Sequence, residues 1–367
     1  MRIPGRPGAP PAPAVDAART VRVVLSAGAA EVRLANTDGA DGLVRTVAAP
    51  RVILPRGGDP LLVDGKPYRG FVRLIPTDSG VLVINELPVE QYLRGVVPLE
   101  IGARRPDEQA AVEAQAVAAR SYTYSRLRTS RSRNWDLRGT TADQVYGGAS
   151  AERASSDAAI AATADLVITF GGQVVEAPYS ASCGGETAAA DEVFRSAGAA
   201  YLARVSDRLP GGAGYYCEGA PNFRWERTVS GDSLVQGVER HLRAYVQGVP
   251  ARIGALRDVR VTSTTPSGRA AAVEIQSLRG ERWAVAKNDL RFVLRSAGGA
   301  IVPSTYLSLA VERRSDGSVS RLVITGRGNG HGVGLCQWGA IGRARAGQDA
   351  RTILRTYYPG TELRRVD

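Results

Sequence analysis

Asn85-Glu86-Leu87-Pro88-Val89-Glu90-Gln91-Tyr92-Leu93-Arg94-Gly95-Val96-Val97-Pro98-Leu99-Glu100 is the stretch where the pattern of this chain changes. Before it, from Thr20 to about Asn85, short alternating apolar runs are split by Gly and Asp: Val21 to Leu25, Val32 to Leu34, Val52 to Leu54, Phe71 to Ile75 and Val81 to Ile84. Such period-2 runs broken by turn formers predict an antiparallel β-rich lobe over residues 20–84. After Pro98 the pattern predicts helix, so the charge-free Gly95-Val96-Val97-Pro98-Leu99 run delivers one carboxyl, Glu100, to the mouth of a long helix. Burial beside apolar groups favours the neutral form of a carboxyl, and a carboxyl that keeps its proton near neutral pH can act as a general acid. Glu100 is therefore the leading catalytic candidate. The plainer alternative is an N-terminal charge favoured by the helix dipole.

Pro106 followed by Asp107 and Glu108 marks a helix start, and no breaker follows until about Leu127. Gln115, Ala119 and Tyr122 share one face by their i, i+4 and i+7 spacing, with Ala116 beside them. Small residues there let another element approach closely. Gln115 and Tyr122 either line a cleft or hydrogen-bond across a packing seam. A turn at Tyr146-Gly147-Gly148 precedes an Ala-rich helix from about Ala149 to Thr163. Leu166 to Phe170, Gly171-Gly172 and Val174-Val175 then read as a two-residue hairpin. The strand at Ala177-Pro178-Tyr179 runs into Ser180-Ala181-Ser182-Cys183-Gly184-Gly185-Glu186-Thr187, a tight loop where backbone or ligand comes close.

From about Asn222 to Leu307 the chain carries an amphipathic helix, Val235 to about Val246, and strands at Val259 to Val261 and Ala271 to Ile275. Without a cluster of reactive groups, this reads as an inserted α/β subdomain. The strand Leu322 to Thr325 then leads into Gly326-Arg327-Gly328-Asn329-Gly330-His331-Gly332-Val333-Gly334-Leu335-Cys336-Gln337-Trp338-Gly339-Ala340. Its glycines hold backbone where other residues avoid going and leave the imidazole accessible. The spacing is not that of a phosphate loop. Short helices from Ala340 to about Ala346 and near Arg351 to Tyr357 close the chain. The expected class is α+β: a β-rich lobe plus helices forming a cleft, with an inserted α/β subdomain. The expected segments are a flexible leader (1–19), the lobe (20–84), a core in two parts (85–221 and 308–367) and the insert (222–307).

Hydrophobic content of 44% and charged content of 23% over 367 residues are those of a folded globular protein. The net charge of +11 favours anionic partners, and the cations are almost all Arg, only Lys66 and Lys287 being Lys. The densest basic runs are Arg126-Leu127-Arg128 and Arg131-Ser132-Arg133, with no aromatic-interleaved stripe of the kind that stacks bases, so nucleic-acid binding is not expected. No apolar run approaches the roughly 20 residues of a membrane helix, and no integral membrane segment is expected. The Pro/Gly-rich residues from Met1 to Pro11 lack the apolar core of a signal peptide, so export is not encoded there, or the leader was cut away or misassigned. Of the three cysteines, none falls in a close metal-binding pair. In an oxidising compartment Cys183 and Cys217 could close a stabilising loop worth about 3–4 kcal/mol, with Cys336 a small buried residue. The alternative is three reduced thiols.

Taken together these segments resemble the SpoIID/LytB family of bacterial cell-wall proteins. Six pieces occur in the family's order and approximate spacing from about Tyr68 to Leu363. They are Asn85 to Pro88 with Tyr92, Gly95 to Pro98 and Glu100; Gln115 to Tyr122; Asp143-Gln144-Val145-Tyr146-Gly147-Gly148; Tyr179 to Thr187; Gly330 to Gly334 with Gln337, Gly339 and Ala340; and Tyr357 to Thr361. Leu99 and Ile101 replace the small residue and the Met that commonly flank the Glu. Cys336 and Trp338 replace the common Ser and Tyr of the late motif. Ser180 stands where many members carry a His that, with nearby cysteines, can hold zinc. Without it, no metal and no cofactor are expected, and Cys183 with Cys217 suits a disulfide.

The resemblance implies a lytic transglycosylase acting on peptidoglycan glycan strands, with Glu100 as its single acid/base and no second carboxylate of the kind two-carboxylate hydrolases need. It further implies that Gln115, Arg120, Tyr122, Ser182, His331 and Gln337 lie along the glycan site. His331 is also readable as a donor that ties the glycine loop down. An extracytoplasmic location and a possible cell-wall amidase partner go with the same resemblance, some relatives being enhancers of such amidases. A cysteine hydrolase pairing Cys336 with His331 is the weakest reading, since five residues within one Gly-rich loop suit a nucleophile and its base poorly.

Overall fold

The structure, a computed structural model, describes residues 20–39, 41–130, 133–196 and 198–366. The leader expected over 1–19 lies outside the described residues, as do Arg131 and Ser132 of the second basic run. The described residues fall into two compact units. One runs to Ala177 and takes in the C-terminal stretch from Glu362; the other is Pro178–Thr361.

The first unit opens with eight strands: β1 (Thr20–Ala29), β2 (Val32–Ala35), β3 (Gly42–Val44), β4 (Arg51–Ile53), β5 (Leu61–Val63), β6 (Lys66–Tyr68), β7 (Phe71–Thr77) and β8 (Gly80–Pro88). A short strand β9 (Leu137–Arg138) joins β1 in parallel. One sheet runs β4-β7-β8-β1-β9 and a second β3-β2-β5-β6. Val21 and Val23 on β1, and Val81 and Val83 on β8, are fully or almost fully buried, so the alternation that predicted the lobe is the one that fills its core. Central strand β8 pairs antiparallel with β1 (Val23 opposite Asn85) and with β7 (Phe71 opposite Glu86).

Helix α1 (Val89–Ile101) follows β8 at once, with Pro88 at its N-cap and Pro98 inside it. This corrects the expectation that helix begins after Pro98. A proline in a helix costs about 3 kcal/mol through a lost hydrogen bond and a clash. Val89, Tyr92, Leu93, Val96, Val97 and Ile101 form a buried i, i+3, i+4, i+7 stripe. Each large side chain so buried contributes about 1.5–3 kcal/mol, and together they outweigh the proline. Glu100 consequently occupies the last turn of α1, at the negative end of that helix, and not the mouth of the next one.

Helix α2 (Gln109–Thr129) is preceded by a 3-10 turn, Pro106–Glu108, where the Glu108 carboxylate accepts the Arg105 N–H at 2.9 Å. It is the central helix of the unit, burying Ala111, Ala114 and the unbroken run from Gln115 to Thr123. The expected Ala-rich helix arrives in two pieces, a 3-10 turn Gly148–Ala151 and α3 (Ala154–Ala162). Strands β10 (Leu166–Phe170) and β11 (Gln173–Val174) make the predicted hairpin over Gly171 and Gly172, both at positive φ, and the C-terminal strand Glu362–Arg365 pairs antiparallel with β10.

In the second unit, β12 (Tyr179–Ser180) pairs in parallel with a later strand, Leu335–Cys336. A short helix α4 (Ala190–Val193) follows. Strand β13 (Arg224–Ser230), helix α5 (Gly231–His241), the meander β14 (Leu256–Thr264), β15 (Ala270–Ser277) and β16 (Arg282–Ala286), helix α6 (Leu290–Val293), and strands β17 (Leu307–Arg313) and β18 (Val319–Arg327) enclose one apolar core. Trp225, Leu234, Val238, Val273, Ile275 and Ile324 belong to it. After β19 (Leu335–Cys336) come α7 (Gln337–Arg345) and α8 (Ala350–Tyr357). The class is α+β, as the element pattern predicts. Among the described residues no helix is long and apolar enough to cross a membrane.

Candidate functional site

The segment Asp143 to Gly148 is pinned to α1 and α2 residue by residue. Tyr122 on α2 donates its hydroxyl to Asp143 Oδ1 at 2.9 Å, and Asp143 Oδ2 accepts the Arg138 N–H at 3.0 Å. Gln144 is buried, and its Oε1 accepts from the Tyr92 hydroxyl (3.2 Å) and the Thr123 hydroxyl (3.0 Å) while Nε2 donates to the Ala119 carbonyl at 3.3 Å. Val145 donates its backbone N–H to Glu100 Oε1 at 2.9 Å. Tyr146 donates its hydroxyl to Asn85 Oδ1 at 2.7 Å, and the Asn85 amide in turn holds the carbonyls of Arg69 and Phe71. The Gly147 N–H bonds the Gly95 carbonyl at 3.0 Å. A side chain at Gly95 would come within 2.5 Å of the Tyr146 ring, so glycine there sets how closely the loop approaches α1.

Glu100 itself is half-buried, beside Leu99, whose side chain is exposed. Burial first, and then the neighbouring Tyr146 and Glu100, raise the Tyr92 phenol well above its ordinary range, so it stays a neutral donor. Burial likewise raises the Tyr122 phenol, over whose ring the Arg126 guanidinium sits at 4.8 Å and donates to the hydroxyl at 2.8 Å.

Of the residues the sequence places along the site, Tyr122 shares the Asp143–Gly148 loop with Glu100. Gln115 is fully buried within α2. Arg120 is also fully buried: its guanidinium forms a two-pronged ion pair with Glu90 (2.7 and 2.8 Å) and caps the carbonyls of Leu166 (3.1 Å) and Ile160 (3.4 Å). That set of bonds ties α1, α2, α3 and β10 together.

Ser182, His331 and Gln337 belong to the second unit. Ser182 is buried and exchanges backbone hydrogen bonds with Asn329 at 2.9 and 2.8 Å. Gln337 is the buried first residue of α7. His331 Nδ1 accepts the Val333 N–H at 3.0 Å, which assigns the ring proton to Nε2, and the ring also bonds the Tyr179 backbone. Burial, with the cations Arg291 and Arg269 nearby, pushes the imidazole down to about 4, so it is neutral at physiological pH. The histidine ties the glycine loop to β12. Gly332 in that loop has φ of 77°, and a side chain there would run into the buried Arg269 guanidinium, which holds the carbonyls of Cys183 and Glu186.

The three cysteines converge, although the sequence spaces them far apart. Cys183 Sγ lies 3.6 Å from Cys217 Sγ, and the two are not bonded. Cys336 caps the N-terminus of α7, its sulfur accepting N–H groups from Gly339 (3.3 Å) and Cys183 (3.1 Å). Asp207, which no sequence pattern flags, completes the cluster: its Oδ2 faces Cys183 Sγ at 3.7 Å, while Oδ1 accepts from the Tyr357 hydroxyl (2.7 Å) and Arg343 (3.2 Å). Burial pushes the Cys183 and Cys336 thiols and the Asp207 carboxyl up, whereas hydrogen bonds from Cys183 and Cys336 pull Cys217 down toward thiolate.

Comparison with known proteins adds two family matches. A model described as stage II sporulation protein (SpoIID) matches residues 77–170, which contain Glu100 and the whole Asp143–Gly148 loop. A model of a domain of unknown function, DUF8618, matches residues 189–334. An uncharacterized protein of Brachyspira hyodysenteriae is 31% identical over 83% of this chain and 74% of its own length. The amidase enhancer of Bacillus subtilis is 30% identical over 82% of this chain, which spans only 44% of that protein. Stage II sporulation protein D of Bacillus subtilis is 27% identical over 77% of this chain and 76% of its own length.

Proposed function

The chain belongs to the SpoIID family, and on that premise we propose that it is a peptidoglycan lytic transglycosylase in which Glu100 is the one acid/base. Glu100 donates its proton to the glycosidic oxygen between N-acetylmuramic acid and N-acetylglucosamine. The resulting carboxylate then takes the proton of the muramic 6-hydroxyl as that oxygen attacks the anomeric carbon, and a 1,6-anhydro ring closes. No water and no second carboxylate take part, unlike the two-carboxylate hydrolases.

The observation that carries this reading is the Val145 N–H bond to Glu100 Oε1, which fixes the direction of the carboxyl from outside its own helix. The neighbouring acid, Asp143, has both oxygens committed to Tyr122 and Arg138, so it supports the loop and not the chemistry. The substrate class is glycan strands, favouring those stripped of stem peptides, and the place of action is extracytoplasmic. The net charge of +11 adds attraction to anionic wall polymer. Glu100→Gln is expected to stay folded and to lose on the order of a hundredfold or more in the release of anhydromuramic ends from denuded strands, read by mass analysis. Unchanged product formation by this variant removes Glu100 from the mechanism.

A second reading follows from the relative named an amidase enhancer: the chain binds glycan without cutting it and stimulates a cell-wall amidase. The purified chain, incubated alone with strands, separates the two. Retention on the wall with intact glycan, together with faster amidase turnover, favours the enhancer.

A further inference from the structure

Cys183, Asp207, Cys217 and Cys336 each bring one donor atom to a buried point of the second unit, all four atoms lying within 4.8 Å of one another. A tetrahedral zinc ion has Zn–S distances of about 2.3 Å and Zn–O distances of about 2.0–2.2 Å, which sets S···S edges near 3.8 Å and S···O edges near 3.6 Å. The Cys183–Cys217 sulfur pair at 3.6 Å and the Cys183 sulfur–Asp207 oxygen pair at 3.7 Å already have those edges.

The groups around the four donors are those that orient metal ligands. Two backbone N–H groups, from Cys183 and Gly339, point at Cys336 Sγ. The Tyr357 hydroxyl and Arg343 take Asp207 Oδ1, which turns Oδ2 toward the sulfurs. A disulfide between Cys183 and Cys217 would account for only two of these residues: Asp207, paired with Arg343 through Oδ1, would still turn Oδ2 toward the sulfurs, and Cys336 would still bring its sulfur to the same point. Buried anionic groups persist when they are paired or coordinate a metal.

We propose that Cys183, Asp207, Cys217 and Cys336 bind one zinc ion in a closed, four-coordinate structural site. With all four positions filled by protein there is no vacant one for substrate, so the ion is a staple and not a catalyst. It joins the Tyr179–Thr187 loop, the segment from Asp207 to Cys217 and the N-terminus of α7. The expectation of no metal came from Ser180 standing where many family members carry a His; the donors found here are instead brought together across 34 and 153 residues of sequence, which spacing alone does not reveal. The inference is independent of the transglycosylase reading, since an enhancer would carry the same staple.

The test uses the full chain, purified under reducing conditions without chelator, and metal analysis by mass spectrometry; about one zinc per chain is expected. Cobalt(II) alone, titrated into chelator-stripped chain, should produce the thiolate-to-cobalt charge-transfer band and the intense visible bands of a tetrahedral site. Cys336→Ser keeps Cys183 and Cys217 able to pair, so it should bind cobalt at least tenfold more weakly if the metal is right. Equal cobalt affinity of this variant and the parent overturns the proposal. So does a parent chain that carries no zinc and gives no thiolate band, whether or not the variant folds. Alkylation under non-reducing, denaturing conditions that labels Cys336 alone would assign the pair to a disulfide instead, and would overturn it as well.

Discussion

Val145 and Glu100 are joined by a 2.9 Å hydrogen bond from a loop N–H to a helix carboxyl, so the direction of the candidate acid is set by a segment 45 residues further along the chain. Its neighbours in that segment are anchored as well: Asp143 by Tyr122, Gln144 by Tyr92 and Thr123, Tyr146 by Asn85 and Gly147 by Gly95. The two motifs that read separately in the sequence act as one piece.

The first prediction concerns the buried amide at the centre of that piece. Gln144→Leu keeps the volume but strands the Tyr92 hydroxyl, while the Thr123 hydroxyl keeps its bond to the Ala119 carbonyl at 2.9 Å. Each buried polar group left unsatisfied costs about 1–3 kcal/mol, and local rearrangement recovers part. A loss of about 1–3 kcal/mol is expected from the urea midpoint at unchanged slope. A variant as stable as the parent would show that the loop is not anchored through Gln144.

Arg120 separates two roles that a sequence cannot. Its side chain is fully buried against Glu90, which is about one-third exposed. Removing one partner of a buried pair costs about 3–5 kcal/mol, and solvent reaching Glu90 places Arg120→Ala at the lower end. The change should appear as lost stability with an unaltered KM for glycan at temperatures where the variant is folded. A raised KM with full stability would restore Arg120 to the binding surface.

His331 gives a pH dependence with a definite sign. Its folded-state value of about 4 lies below the ordinary 6.5, so between those values the unfolded chain binds more protons than the folded one. The stability this confers is complete above pH 6.5 and is lost as pH falls toward 4. The shift corresponds to at most about 3 kcal/mol, less what solvent screening at a half-buried ring removes. Comparing unfolding free energies of the parent and His331→Gln from pH 7 to pH 4 should show a flatter profile for the variant. Parallel profiles would mean that the imidazole titrates normally.

These cases also show what was readable in advance. The β-lobe, the long helix α2 and the Gly171-Gly172 hairpin follow from period and turn chemistry, which act locally. Helix α1 did not, because Pro98 is a strong local stop signal and only tertiary burial of the stripe from Val89 to Ile101 overrides it. Glu100 was legible as a candidate, but its partner Val145 contributes a backbone N–H that carries no side-chain signature. Arg120 and Gln115 lie in a recognisable motif, yet a motif does not say which face of a helix meets solvent. Asp207 lies in a loop without pattern, and only folding sets it beside three distant sulfurs.

Gly95 supplies the sharpest test of whether the loop and the acid work together. In a helix interior Ala is favoured over Gly by about 1 kcal/mol, so Gly95→Ala should stabilise if nothing stood in the way. A methyl there would lie 2.5 Å from the Tyr146 ring and 3.0 Å from the Gly148 carbonyl, and the loop must retreat. Overpacking of this kind costs about 1–3 kcal/mol, which exceeds the helix gain at most values. The retreat also lengthens the Val145–Glu100 contact, so glycan cleavage should fall more than tenfold even where the protein is folded. Gly171→Ala is the control: its site has open space around it but φ of +57°, so it loses about 1–2 kcal/mol of stability and leaves cleavage unchanged. If Gly95→Ala cleaved as fast as Gly171→Ala, the position of the loop would have no bearing on the acid.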